Sequence, residues 1–211
     1  DNATDIGIIV GTSEGALGTC CDFQSMITEK GNASGSSFKF PNTVYNAAGG
    51  YLSICSGIKG YNVTVTNGAQ SGLASMAYAM SVLRSGQENA MLATGSDENS
   101  DTMTELFGKL GVTSEKVVAP FAGNDGFVLS DGSASVLIED EKAAKERGAR
   151  IYCHASGYGM AHSSVKFGTL TGSEAGLTNA VNNALADAGM TIDDIDAVFG
   201  FANGMKAVDD V

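Results

Sequence analysis

Residues 66–80, TNGAQSGLASMAYAM, have the form of a strand that turns through glycine into an apolar helix. Such a junction usually displays a nucleophile, which calls for Ser or Cys at the tip. Neither stands there. Other residues of chemical interest lack companions. Ser130 and Asp131 have no His close in sequence, and Ser130 is not framed by the Gly-x-Ser-x-Gly of a hydrolase elbow. His154, inside RIYCHASGYG, is expected to be packed or at a strand edge, and His162 to lie on a polar surface loop; neither has a metal-ligand companion. Asp97 and Glu98 have the types of a general acid and base, but with Asp101 they read as a helix-start signal. Cys55 lies in an apolar helical pattern and is expected to be buried and inert.

The elements that must position such a tip are legible as a rhythm. DIGIIVGT, YNVTVTN and NAMLATGS read as strands, and between the last two Ser71–Gly86 has Leu73, Met76, Ala77, Met80 and Leu83 at helical spacing. Ala74, Ala79 and Val82 make the other faces of that helix apolar, so it is expected inside the protein. GFVLSDGSASVLIED reads as two short strands around the Asp131-Gly132 turn, and DEKAAKERGA as an exposed charged helix closed by Gly148. The theme then restarts: RIYCHASGYG as a strand, Glu174–Ala188 as a helix ended by Gly189, and IDAVFGFAN as a strand. GNASGSSFKF is the one flexible loop expected. Alternating strands and helices imply a layered α/β protein, its halves meeting near residues 140–150.

Composition narrows the function classes. With 211 residues, 43% of them hydrophobic, the chain can bury a core. A formal net charge of −12, with basic residues gathered only as Lys142, Lys145, Arg147 and Arg150, argues against nucleic acid or an anionic membrane as partner. The four cysteines, Cys20, Cys21, Cys55 and Cys153, have no paired metal-ligand spacing, and adjacent Cys20 and Cys21 do not suit a disulfide framework. Reduced thiols of a cytoplasmic protein are expected, with no metal and no cofactor. The sequence has neither a signal-peptide apolar region nor an apolar stretch of membrane-spanning length. Its opening at Asp1, just before a strand, predicts further sequence upstream.

Several stretches together resemble the β-ketoacyl synthase family of the thiolase-like superfamily. FPNTVYNAAGGYLSICSGIKGYNVTVTNGAQSGLASMAYAM is similar to the family's approach to its nucleophile elbow, PFAGNDGFVLSDGSASVLIEDEKAAKERGARIYCHASGYGM to its Pro-Phe-Asp…Asp-Gly-Phe block, and ALADAGMTIDDIDAVFGFANGMKAVDD to the approach to its His-Gly-Thr motif. The resemblance implies a thiolase-like layered αβαβα fold, of which residues 1–140 would form the N-terminal half, incomplete at its start, and residues 141–211 the opening of the C-terminal half. The family works with an elbow Cys, two His and a Lys. Matched without gaps, the Cys-x-Ser-Gly motif places Ala69 at the nucleophile position, and Asn203 takes the place of the first His. A shift of one residue would instead put Gln70 in the nucleophile slot, the residue type found there in chain-length-factor subunits of type II polyketide synthases and in some decarboxylating loading synthases. The Lys and the second His would lie beyond Val211.

An Ala methyl cannot be acylated, and Asn203 has no imidazole to titrate near neutrality. The resemblance therefore implies a non-catalytic chain-length-factor subunit, paired as a heterodimer with a catalytic ketosynthase and shaping the pocket that limits acyl-chain growth. Two enzyme readings stand beside it: an active β-ketoacyl-acyl carrier protein synthase seen as a Cys-to-Ala mutant or fragment, and a malonyl decarboxylase with Gln70 in the slot. Acyl carrier proteins are acidic, so they would dock mainly on the partner unless Lys142, Lys145, Arg147 and Arg150 form a patch. Phe121, Phe127 and Met76 are the candidate acyl-pocket walls, with core packing as the alternative role of each.

Overall fold

The computed structural model describes residues 4–164 and 174–210. Contacts divide them into two compact units, Asp1–Thr104 with Ser130–Cys153 and Glu105–Leu129 with His154–Val211. The first unit is built on a four-stranded sheet of order β2-β1-β3-β4, with β1 Ile6–Gly11, β2 Asn62–Val65, β3 Ala90–Asp97 and β4 Gly132–Glu139. β1 runs parallel to both of its neighbours, and β3 pairs antiparallel with β4 from Ala90 opposite Glu139 to Asp97 opposite Gly132. The central strand reads IGIIVG because both its faces are covered, and Ile8, Ile9 and Val10 are buried.

Helix α3 (Ser71–Arg84) follows α1 (Leu17–Lys30) and α2 (Ala47–Ser56) in the chain and covers one face of the sheet. Its Ala79 and Val82 join Ile9, Met91 and Ala93 in the core cluster, with Met76, Leu83, Val65 and Ile138 packed around it. The expectation of a helix buried on every side holds only on the sheet side, since Leu73 and Tyr78 are exposed. Alanines dominate the buried side and allow the helix to lie close. Closest of all is its first turn. A Cβ on Gly11 would overlap the backbone carbonyl of Ser71, and one on Gly95 would come within 3.0 Å of the Gly72 Cα. α2 approaches the sheet in the same way, through Gly49, whose carbonyl accepts a 3.0 Å hydrogen bond from Asn62 Nδ2.

α4 (Asp101–Leu110) crosses the division between the units, and α5 (Glu141–Glu146) is the expected charged helix, capped by the Asp140 carboxylate on the N–H groups of Lys142 and Ala143 and followed by Gly148 at φ 69°. In the second unit, α6 (Glu174–Ala188) is followed by Gly189 at φ 66°, as expected. A short 3-10 turn, Ile192–Asp194, and α7 (Lys206–Asp209) complete it. Gly157 and Gly159 lie directly against α6, where a Cβ on either would strike the backbone around Ala180, Ala184 and Ala188.

Several sequence expectations are corrected. RIYCHASGYG and IDAVFGFAN are not strands: among the described residues neither is hydrogen-bonded into a ladder, and Tyr152, Val198 and Phe199 are exposed. Their apolar alternation is a strand pattern without a neighbouring strand, and strand structure exists only as a pair. Of the two strands expected around Asp131-Gly132, only β4 forms; Phe127 makes an isolated bridge with Thr113 instead. The GNASGSSFKF segment lies between α1 and α2 and carries a short 3-10 turn at Asn32–Ser34. Cys55 is exposed, because α2 buries only its Gly49 and turns Tyr51, Ile54 and Cys55 outward. His154 and His162 are both exposed.

The packing at Gly11 yields a direct expectation. Gly11→Ala lowers the unfolding free energy by about 3 kcal/mol in urea titrations, since backbone and not a pliable side chain opposes the methyl. Gly50→Ala, in α2 with nothing within 4 Å of its would-be Cβ, raises stability by about 0.5–1 kcal/mol. A second expectation concerns pH. The N–H and hydroxyl of Thr191 donate to Asp194 and hold its carboxyl below the ordinary 3.8. A depressed folded-state pKa means stability present above the unfolded value and lost as pH falls through the folded one. Thermal melts of Asp194→Ala should therefore fall below the parent at neutral pH and converge with it in strong acid.

Candidate functional site

The turn between β2 and α3 has the strand-turn-helix form expected of an elbow. Gly68 takes φ 56°, and the N–H groups of Gln70 and Ser71 close onto the carbonyls of Asn67 and Gly68 at 3.2 and 3.0 Å. Ala69 and Gln70 are exposed at the tip, and Gln70 is the residue immediately before α3. The methyl of Ala69 offers no nucleophile. Behind the tip, Ser71 is buried: its Oγ accepts from the Asn67 N–H at 2.8 Å and lies 2.6 Å from the Gly68 carbonyl and 2.9 Å from that of Thr12, to either of which it can donate. Met76 is half-buried against the sheet core.

Asp97 does not start a helix; α4 begins at Asp101. Its carboxylate instead grips the turn after β1. Thr12 Oγ1 donates to Asp97 Oδ1 at 2.6 Å, and the N–H groups of Ser13 and Glu14 donate at 2.9 and 3.0 Å. Gly15 N–H in turn donates to Thr12 Oγ1 at 2.8 Å. A carboxylate ending one parallel strand thus fixes the end of its neighbour. Gly11–Gly15 reads Gly-x-Ser-x-Gly after a strand, a hydrolase pattern that the sequence reading missed. Its Ser13 hydroxyl donates to Glu14, however, and among the described residues no His is hydrogen-bonded to it.

The second unit holds the other candidates. Asn203 uses its Oδ1 to accept the Met205 N–H at 3.0 Å, and Asp209 accepts the N–H groups of Asn203 and Gly204 at 3.1 and 3.3 Å. The same Asp209 carboxylate takes the Phe121 N–H at 2.7 Å. Phe121 is the non-glycine residue with positive φ, 60°, among those described, and is 70% exposed. Phe127 packs edge-on against Phe107, ring centroids 5.6 Å apart. The structure therefore joins Asn203 and Phe121 through Asp209, while Phe127 belongs to a separate aromatic contact. Gly204 sits at φ 90°, pressed against Val118, and its carbonyl accepts from the Asn124 N–H and from Asn124 Nδ2 at 3.2 and 3.1 Å. Next to it Asp210 holds the Lys206 ammonium above its ordinary range.

The basic group on and after α5 is spoken for. Lys142 pairs with Glu146, Lys145 with Glu141, and Arg147 with Glu139, which raises the guanidinium pKa further; Arg150 lies over the Tyr152 ring, 4.7 Å from its centroid. Such exposed pairs add little stability but cancel the local positive field. Among the described residues no helix is long and apolar enough to cross a membrane.

These features can be set beside known proteins. The family described as β-ketoacyl synthase, N-terminal domain, matches residues 1–144. The chain is 31% identical over 199 residues to 3-oxoacyl-[acyl-carrier-protein] synthase 2 of Vibrio harveyi, covering 90% of this chain and 48% of that protein. It is 28% identical over 217 residues to the mitochondrial 3-oxoacyl-[acyl-carrier-protein] synthase of Arabidopsis thaliana, covering 97% and 46%. The chain spans about half the length of the curated relatives it matches. Among solved structures, a type II polyketide ketosynthase, bound to the hexaketide and in complex with its acyl-carrier protein, superposes with TM-score 0.91 at 21% identity, over 99% of this chain and 54% of that one. The ishigamide ketosynthase/chain length factor superposes with TM-score 0.85 at 24% identity, over 98% and 51%. The thiolase-like layered α/β fold expected from the sequence is thus present, and with the match over residues 1–144 the chain belongs to the β-ketoacyl synthase family.

Proposed function

We propose that this chain is a non-catalytic ketosynthase-fold subunit of fatty-acid or polyketide synthesis that pairs with an active ketosynthase and helps to set acyl-chain length. The observation that carries the reading is Ala69 at the exposed tip of an otherwise complete elbow. Acyl transfer through this site would need a side-chain nucleophile, and a methyl is none. Asn203 supports the same reading. Its amide does not titrate near neutrality, and its oxygen already accepts the Met205 N–H, so it cannot act as an acid or base on a ligand. The partner would supply the Cys and both His, and would receive the acidic acyl carrier protein, since Lys142, Lys145 and Arg147 are paired with Glu146, Glu141 and Glu139.

An active condensing enzyme is the second reading, favoured by the names of the relatives, which are synthases. Intact-mass measurement separates the two. Incubated with acyl- and malonyl-carrier-protein thioesters, the chain alone should gain no acyl mass and form no carbon–carbon bond; an adduct on the peptide containing residues 66–80 would overturn the proposal. Gln70-dependent release of carbon dioxide from the malonyl thioester would favour decarboxylation instead. Co-expressed with an active ketosynthase, the chain should co-purify with it. In that complex Phe121→Ala should lengthen the product distribution seen by mass spectrometry without loss of stability, because the exposed ring is a wall and not a core residue. Phe127→Ala should mainly destabilise, by about 1–3 kcal/mol, through loss of its contact with Phe107.

A further inference from the structure

At the C-terminal ends of β1, β2 and β3, one hydrogen-bonded path crosses the sheet. It starts at the Asp97 carboxylate and passes to the hydroxyl of Thr12, which is 4% exposed. From the Thr12 carbonyl it reaches Ser71 Oγ, 2.9 Å away and 2% exposed, which accepts the Asn67 N–H on the far side of the elbow. The Thr12 N–H donates to the Val65 carbonyl at 3.1 Å, so the residue is tied to both ends of the turn that carries Ala69. Gly11, directly beneath, leaves no room for a second arrangement, because the Ser71 backbone lies where its Cβ would be. We propose that Asp97 is the positioning residue of the elbow: by fixing Thr12 it sets where Asn67 and Ser71 hold residue 69 relative to the first turn of α3. This goes beyond the functional reading above and is independent of it, since it concerns geometry at residue 69 whatever side chain stands there.

A thiol placed at the tip reports that geometry. In the full chain carrying Ala69→Cys, the rate of alkylation by iodoacetamide at residue 69, followed peptide by peptide across pH, gives the midpoint of thiolate formation. A thiol aimed at the N-terminus of α3 has its midpoint below the free-thiol value of about 8.5. Adding Asp97→Ala should raise that midpoint by about one pH unit, because the tip no longer aligns with the helix. The sign is diagnostic. Loss of a carboxylate acting only through its charge would lower the midpoint, by removing a repulsion on the thiolate. Asp97→Asn, which keeps Oδ1 as the acceptor for Thr12 and Glu14 and loses only Oδ2, the second acceptor of the Ser13 N–H, should preserve most of the low midpoint. Thr12→Val should raise it and Thr12→Ser should not, and this pair decides the matter if Asp97→Ala fails to fold. A midpoint that falls or stays put in both Asp97→Ala and Thr12→Val overturns the proposal, whatever their melting temperatures.

Discussion

The first turn of α3 rests on the ends of two parallel strands at a separation that only glycine permits, and the elbow depends on that contact. Gly11 admits the Ser71 carbonyl, and Gly95 meets Gly72 Cα to Cα. A helix this close has its start determined to within a fraction of an ångström by backbone, which does not rearrange as side chains do. Everything at the tip inherits this precision. The buried hydroxyl of Ser71 can reach Thr12 only because the gap is closed, and Thr12 can hold the turn only because Asp97 holds Thr12.

Both units solve the same problem in the same way. Each candidate loop is irregular backbone whose N–H groups need acceptors, and a single carboxylate supplies them: Asp97 for Ser13 and Glu14, Asp209 for Asn203, Gly204 and Phe121. A carboxylate can accept about four hydrogen bonds, so one side chain can order several residues that have no ladder or helix to order them. At Phe121 it does more. A positive φ costs a non-glycine residue about 1 kcal/mol or more, and the 2.7 Å bond to Asp209 offsets that cost while leaving the ring exposed.

Local pattern made the first unit legible. β1, β2, β3, α3 and α5 all carry their signals within the window that periodicity and capping rules read, and the elbow could be placed from its glycine and apolar helix. Asp97 could not, because its partner Thr12 is 85 residues away and nothing in local spacing relates them. Asp209 was hidden for a similar reason, its bond to Phe121 spanning 88 positions. Gly-x-Ser-x-Gly at Gly11–Gly15 was legible but without weight, since the pattern acquires meaning only from the partner of its serine, here Glu14. RIYCHASGYG and IDAVFGFAN failed in the opposite direction. Their alternation is a true strand signal, but a strand is a relation between two segments, and sequence shows only one of them.

Such a scaffold does not depend on the side chain at its tip. Ala69 is exposed at the tip and belongs to neither the core cluster nor the hydrogen-bonded path behind it, so exchanging a thiol for a methyl there removes chemistry and little packing. Stability and activity are separable at this position because they are held by different atoms: stability by Gly11, Gly95 and Ser71, activity by whatever the tip presents. A selection for fold alone, as in a subunit that supports a catalytic partner, would maintain the glycine contact and leave residue 69 unconstrained. A selection for catalysis would have to constrain both; in the second unit, the Asn203 amide serves the local turn through Met205.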